Sequence, residues 1–133
     1  MAKTLLAGNW KMHGTVKSTT ELAGQIADGL GTLLPAPEIV LFPSLVHLPS
    51  VISELQGNNG IAVGAQNCSQ HQNGPFTGEV SRQMLADIGC RYVLVGHSER
   101  RTLFAETDEL VAEKFVAAQS VGLTPILCVG ETL

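Results

Sequence analysis

The sequence predicts an α/β fold in which five parallel strands alternate with four helices. Three observations carry that expectation. Short apolar runs recur at residues 4–7, 39–42, 61–65, 92–95 and 124–129, and most are continuously apolar, as strands covered on both faces are. The segments between them place apolar residues at helical spacing. The 133 residues are 44% apolar and 15% charged, which suits a single domain with its own core and disfavours disorder. A crossover helix returns the chain to the same end of a sheet, so the strands are expected to run parallel.

The first run, Thr4 to Ala7, leads into Asn9-Trp10-Lys11. Ser18-x-x-Glu21 reads as a capping box ahead of Leu22, Ala23, Ile26, Ala27 and Leu30 at helical spacing. After the run Ile39 to Phe42, Pro49 suits the first turn of a helix carrying Val51, Ile52 and Leu55. The run Ile61 to Ala65 is followed by a loop over 67–79 with Gly74, Pro75 and Gly78, and a loop of that length in a compact domain is usually functional or disordered. Glu79 to Ile88 then sets Val80, Met84, Leu85 and Ile88 on one stripe, with Gly89 where a left-handed stop is wanted. Tyr92 to Val95 reads as a buried strand. A helix from Thr107 to about Val121 follows, with Asp108 and Glu109 in its first turn, where the macrodipole favours anions, and Gly122 at its end. The last run is Thr124 to Val129.

Two architectures fit this order. Five strands complete an open flavodoxin-like sheet, whereas an eight-fold β/α barrel takes about 250 residues. Both place their chemistry at the carboxyl ends of the strands, and those ends carry Asn9-Trp10-Lys11, Pro43-Ser44, Gln66-Asn67, His97-Ser98-Glu99 and Cys128 with Glu131 beyond. An open-sheet phosphoacceptor would need acidic residues after strands one and three, and a dinucleotide site would need a glycine-rich turn after strand one. Neither is present in the sequence. A net charge of −4 argues against nucleic acid or an anionic membrane as a general partner, and no run is as long as a membrane span. Three cysteines without paired spacing fit a reducing, cytoplasmic compartment better than a disulfide framework. Cys68-x-x-His71 lacks the second ligand pair of a structural zinc site, so no metal is expected.

The segments GNWKMHG at 8–14, GAQN at 64–67, GPFTGEVS at 74–81, VGHSERR at 95–101 and LCVGETL at 127–133 together resemble the triosephosphate isomerase family. The resemblance runs through the whole chain in order, and no single motif carries it. It implies a partial (β/α)8 TIM barrel, residues 1–133 being one incomplete domain. The implied enzyme interconverts dihydroxyacetone phosphate and glyceraldehyde 3-phosphate, in glycolysis and gluconeogenesis, without a cofactor.

Moving a proton between adjacent carbons through an enediolate requires donors where negative charge develops on oxygen. His97, Lys11 and Asn9 are residues of that kind. The resemblance makes His97 the electrophile and proton shuttle, at the start of a short helix after the fourth strand. It gives Lys11 the substrate phosphate and the developing enediolate, and gives Asn9 a substrate oxygen. It sets Glu99 in a supporting network near Lys11 rather than as the base, and Cys128 as a packing residue near the rim. The loop over 67–79 is implied to reach a second subunit, Thr77 approaching the neighbour's catalytic lysine, so the whole enzyme is expected to be a homodimer. Arg100 is expected to pair with Glu79 of that loop, and Arg101 to be solvated. Pro75 and Ala105 stand where the family more often has Ala and Gly. The family's carboxylate base and flexible lid both follow the sixth strand, so the general base is expected to be absent from these residues and the chain alone to be inactive. Uncovered strand edges also make self-association an alternative role for the isolated chain.

Overall fold

The computed structural model describes residues 3–30, 37–58 and 60–131. Thr132 and Leu133, which close the last of the motifs, lie outside the described residues. The chain falls into two compact units, Met1–Gln66 and Asn67–Leu133, each with its own strands and core.

The first unit contains β1 (Leu5–Asn9), α1 (Val16–Leu30), β2 (Glu38–Phe42), a 3₁₀ turn (Leu45–His47), α2 (Leu48–Glu54) and β3 (Ile61–Ala65). β1 pairs with β2 in parallel from Leu5↔Glu38 to Asn9↔Phe42, and β2 pairs with β3 from Ile39↔Ile61 to Leu41↔Val63. β2 therefore lies between its two chain neighbours. The flavodoxin-like order would put β1 in that place, so the pairing within this unit alone selects the barrel order. Val40, Leu41 and Phe42 are buried with Leu48 and Val51 of α2 and Ala23 of α1. Gly24 lets the two helices approach closely, because a Cβ there would sit 2.8 Å from the Glu54 carboxylate.

The start of α1 differs from the expected capping box. Thr15 Oγ1 accepts the Ser18 N–H at 3.1 Å, and Ser18 Oγ accepts the Thr15 N–H at 2.9 Å. The reciprocal box thus spans Thr15 and Ser18, three residues early, and Glu21 instead faces Lys17 at 3.9 Å. The buried stripe turns accordingly onto Thr19 and Ala23, leaving Leu22 exposed. Pro49 lies in the first turn of α2, as its fixed φ requires.

The second unit contains α3 (Arg82–Asp87), β4 (Tyr92–Val95), α4 (Ser98–Leu103), α5 (Asp108–Gln119) and β5 (Thr124–Leu127). β4 and β5 pair in parallel from Tyr92↔Thr124 to Val95↔Leu127. The crossover between them holds the short helix expected after the fourth strand as well as the long one. Ser81 caps α3, its Oγ accepting the Met84 N–H at 3.3 Å, so the helix starts later than the stripe suggested and Met84 is exposed. Gly89 and Gly122 both take the left-handed conformation, with φ of 101° and 81°. Leu85, Val93, Val95, Val111 and Ala118 fill the core. Five parallel strands with helices between them, paired in chain order within each unit, make this a partial (β/α)8 barrel.

Ala105 follows α4 with φ of 53°, and the Glu106 N–H returns to the Arg100 carbonyl at 3.4 Å. A left-handed L-residue costs roughly 1–2 kcal/mol, part of which a glycine gives back through unfolded-chain entropy. Ala105→Gly is expected to raise stability by about 0.5–1 kcal/mol, read as an upward shift of the urea midpoint. A lowered midpoint would show that this turn is not strained.

Candidate active site

In the first unit the end of β1 is held tightly. The Trp10 N–H donates to the Phe42 carbonyl at 3.0 Å, continuing the β1–β2 ladder one residue past the strand. Asn9 Oδ1 accepts the Lys11 N–H at 2.9 Å, which commits the oxygen end of the amide to the backbone and leaves its NH₂ as the donor end. Lys11 has φ of 52°, a left-handed conformation that a long side chain rarely adopts. Its carbonyl accepts from Ser44 Oγ at 2.8 Å and from Gln66 Nε2 at 2.8 Å. Gln66 Nε2 also donates to the Phe42 carbonyl at 2.9 Å. The Asn9 side chain is therefore joined to the Lys11 backbone, and two further residues past the ends of β2 and β3 meet the lysine carbonyl.

In the second unit β4 ends at Gly96, which has φ of 70° and where a Cβ would meet Val111 Cγ1 at 2.7 Å. Only glycine fits both constraints. His97 follows as the N-cap of α4, its Nδ1 accepting the Glu99 N–H at 3.1 Å. An accepting Nδ1 places the proton of the neutral ring on Nε2, so the outward nitrogen is a donor. Glu99 Oε2 is 3.7 Å from the same Nδ1, but that nitrogen already accepts from the backbone and we read the pair as no salt bridge. Glu99 thus touches His97 through its N–H, while its side chain is 48% exposed, a poor setting for a carboxylate tuned to abstract protons.

Arg101 is not solvated as expected. Its Nε donates to the Gly96 carbonyl at 2.7 Å and its Nη1 to Asp108 Oδ1 at 2.6 Å, which ties α4 to the strand end and to α5. Arg100 pairs with Glu106 rather than Glu79: Nε donates to Glu106 Oε2 at 2.8 Å, and the guanidinium lies 4.7 Å over the Phe104 ring. Burial pushes the Glu106 carboxyl up. Hydrogen bonds from Lys114 and Arg100, and then their charges, pull it further the other way, so its net position lies below the ordinary carboxylate value. Lys114 Nζ donates to that carboxylate at 2.5 Å and to Asn67 Oδ1 at 2.9 Å.

Sequence reasoning passed over Glu106 and Lys114. Lys114 is 3% exposed, on the same face of α5 as Val111, Ala117 and Ala118. A lysine on an apolar stripe was the available signal, since such a charge is buried only when paired.

The loop over 67–79 is ordered by its own contacts. Ser69 N–H meets the Val80 carbonyl at 2.9 Å, Glu79 N–H meets the Phe76 carbonyl at 2.9 Å, and His71 stacks on Phe76 with ring centroids 3.9 Å apart. Thr77 and Glu79 share a cavity of about 340 Å³ with Arg100, Glu106 and Lys114. Cys68 is buried with Sγ 3.9 Å from the Lys114 carbonyl. Burial raises the Cys68 thiol and pushes Cys90 up to about 11. Cys128 is half-buried, its N–H donating to the Val95 carbonyl at 2.9 Å, and burial raises its thiol against the charge of Arg101. A nucleophilic thiol needs the opposite shift. Among the described residues no helix is long and apolar enough to cross a membrane.

A family profile described as triosephosphate isomerase matches residues 4–133. The triosephosphate isomerase of Dechloromonas aromatica is 53% identical over 133 residues, covering 100% of this chain and 52% of the relative. The enzyme of the same name from Magnetococcus marinus is 49% identical over the same share of each chain. That of Shewanella loihica is 51% identical over 138 residues, covering 99% of this chain and 52% of the relative. The chain therefore spans about half the length of the curated relatives it matches, and it belongs to the triosephosphate isomerase family.

Proposed function

We propose that this chain supplies the electrophilic and cationic part of an isomerase site that interconverts dihydroxyacetone phosphate and glyceraldehyde 3-phosphate. The observation that carries the reading is the His97 ring. Its Nδ1 is occupied by the Glu99 N–H, so Nε2–H is the end offered to a substrate carbonyl, where it stabilises the enediolate oxygen and passes a proton between the two oxygens. Lys11 supplies positive charge to the phosphate and to the same developing anion, and the Asn9 NH₂ donates to substrate oxygen. Glu99 supports this network, and Cys128 packs behind the rim.

In this reading, proton abstraction from carbon falls to a carboxylate base that follows a sixth strand, as does the lid. Both compact units belong to one barrel domain. The reaction takes no cofactor and no metal, and the setting is the cytoplasm, in glycolysis and gluconeogenesis. Thr77, Glu79 and Arg100 belong to a loop surface that meets a second subunit in a homodimer.

Residues 1–133 alone are expected to show no isomerase turnover above background in a coupled assay, whereas the same residues within a chain of the relatives' length turn over. Turnover by 1–133 alone would overturn the division of roles. No turnover by the long chain would overturn the activity. A second reading rests on exposed apolar residues, Leu6 of β1 at 52%, Leu127 of β5 at 47% and Val129 beyond it at 81%, which favour self-association of the isolated chain. A monomeric mass by sedimentation at micromolar concentration would remove it.

A further inference from the structure

The loop over 67–79 is braced from its buried foot to its exposed tip. We propose that His71 and Pro75 are positioning residues that hold this loop, before any contact is made, in the shape in which it docks against a second copy of this chain. The proposal rests on the reading of Thr77 as a residue that meets the second subunit.

At the foot, buried Ser69 donates its N–H to the Val80 carbonyl at 2.9 Å, and its Oγ accepts the His71 N–H at 3.1 Å. Arg82 adds a bond from Nη1 to the Gln70 carbonyl at 3.3 Å. His71 then lays its ring on Phe76, with centroids 3.9 Å apart and planes 3° apart. Between the two residues Gly74 has φ of 149°, and a Cβ there would lie 3.0 Å from Phe76 Cε2. A side chain at 74 would push the Phe76 ring aside, so glycine is what the stack allows.

Phe76 belongs to two turns at once. Its N–H donates to the Gly74 carbonyl at 2.8 Å, an i to i+2 bond that makes Pro75 the centre of a γ-turn. Proline's fixed φ of about −65° lies close to the roughly −75° of an inverse γ-turn, so the ring favours this turn and denies the loop most alternatives. The Phe76 carbonyl accepts the Glu79 N–H at 2.9 Å, which closes a second turn with Thr77 at its first corner and Gly78, φ of 90°, at its second. Holding the Phe76 ring therefore fixes the peptide from which exposed Thr77 projects. A loop already ordered in the free subunit loses less entropy on docking. Each dimer docks two such loops, so the competent fraction of the loop enters the association constant squared.

The test uses the long chain carrying these residues, with His71→Ala, Pro75→Ala, the double variant and His71→Phe, which keeps a ring on Phe76. The dimer dissociation constant is read by dilution under fluorescence-detected sedimentation, and the second-order rate of reassociation by dilution from urea. The expected result is a dissociation constant raised about tenfold in His71→Ala, about fivefold in Pro75→Ala and further in the double variant, with reassociation slowed in the same order. His71→Phe stays within about twofold of the wild type. Once all the protein is dimeric, kcat is unchanged, because docking restores the shape of the tip, whereas damage to the site would lower it.

An unchanged dissociation constant and reassociation rate in the double variant overturns the positioning role. So does a loss in His71→Phe equal to that in His71→Ala, or a lowered kcat in the fully dimeric variants. If the wild-type long chain is monomeric at every concentration, the reading of Thr77 as a subunit contact fails, and the brace is decided in the monomer. There, amide exchange at Phe76 and Glu79, whose N–H groups close the two turns, should quicken about fivefold or more in the double variant. Equal exchange in the wild type and the double variant overturns the brace.

Discussion

His97→Gln in the long chain is expected to lower kcat by about 10²- to 10⁴-fold while moving the urea midpoint little. The glutamine amide still offers a donor, and its oxygen still accepts the Glu99 N–H that His97 Nδ1 takes at 3.1 Å. What it loses is the ability to give and take a proton between adjacent substrate oxygens, the step that imidazole performs and an amide does not. KM should change much less than kcat, because the lost interaction strengthens only as charge develops. Wild-type turnover in a folded His97→Gln enzyme would remove His97 from the mechanism.

Lys114→Met is expected to cost about 3–5 kcal/mol of stability, a large part of what a domain of this size has. The substitution keeps the length of the side chain but leaves the Glu106 carboxylate, 2% exposed, with Arg100 as its remaining ion-pair partner. Glu106 Oε1 already has no hydrogen-bond partner among the described residues. The pH dependence follows from the direction of the shift. Burial raises the Glu106 pKa, the hydrogen bonds and charges of Lys114 and Arg100 outweigh it, and the folded value lies below the unfolded one. Stability from this cluster is then complete above the ordinary carboxylate range and is lost as pH falls through the lower folded value. In Lys114→Met part of the opposition to burial is gone, so the acid-side loss should begin at higher pH. Urea midpoints between neutral and acid pH check both statements, and the double variant Lys114→Met with Glu106→Gln should recover part of the loss, since a neutral pair carries no uncompensated charge. A wild-type midpoint in Lys114→Met would mean that the cluster adds nothing to stability.

Much of this molecule can be read along the chain. The bounds of β3 and β4 follow directly from continuous apolar runs stopped by polar strand ends, and the glycines at 89 and 122 take the left-handed conformation that their places after helices demand. Asn9, Lys11 and His97 stand, as the sequence suggested, at or just past the ends of β1 and β4. Residue types and spacing carry that information locally, through propensity and the burial of apolar side chains.

Other features depend on groups distant in sequence. One near-neighbour signal also went the other way: the α1 cap sits at Thr15 and Ser18 rather than at Ser18 and Glu21, Thr15 closing both bonds of the box, one through its N–H and one through its Oγ1. Barrel order over open-sheet order rests on whether β3 pairs with β2 or with β1, and the same five runs allow either. Lysine has no propensity for positive φ, and the left-handed Lys11 has its carbonyl met by Ser44 and Gln66, 33 and 55 residues away. Glu106 and Lys114 likewise look like ordinary surface charges until the fold buries them against each other. Local sequence sets which elements form and what chemistry stands at their ends. Hydrogen bonds and ion pairs between residues far apart in the chain decide strained conformations and buried charges, because only tertiary contact can offset what those states cost.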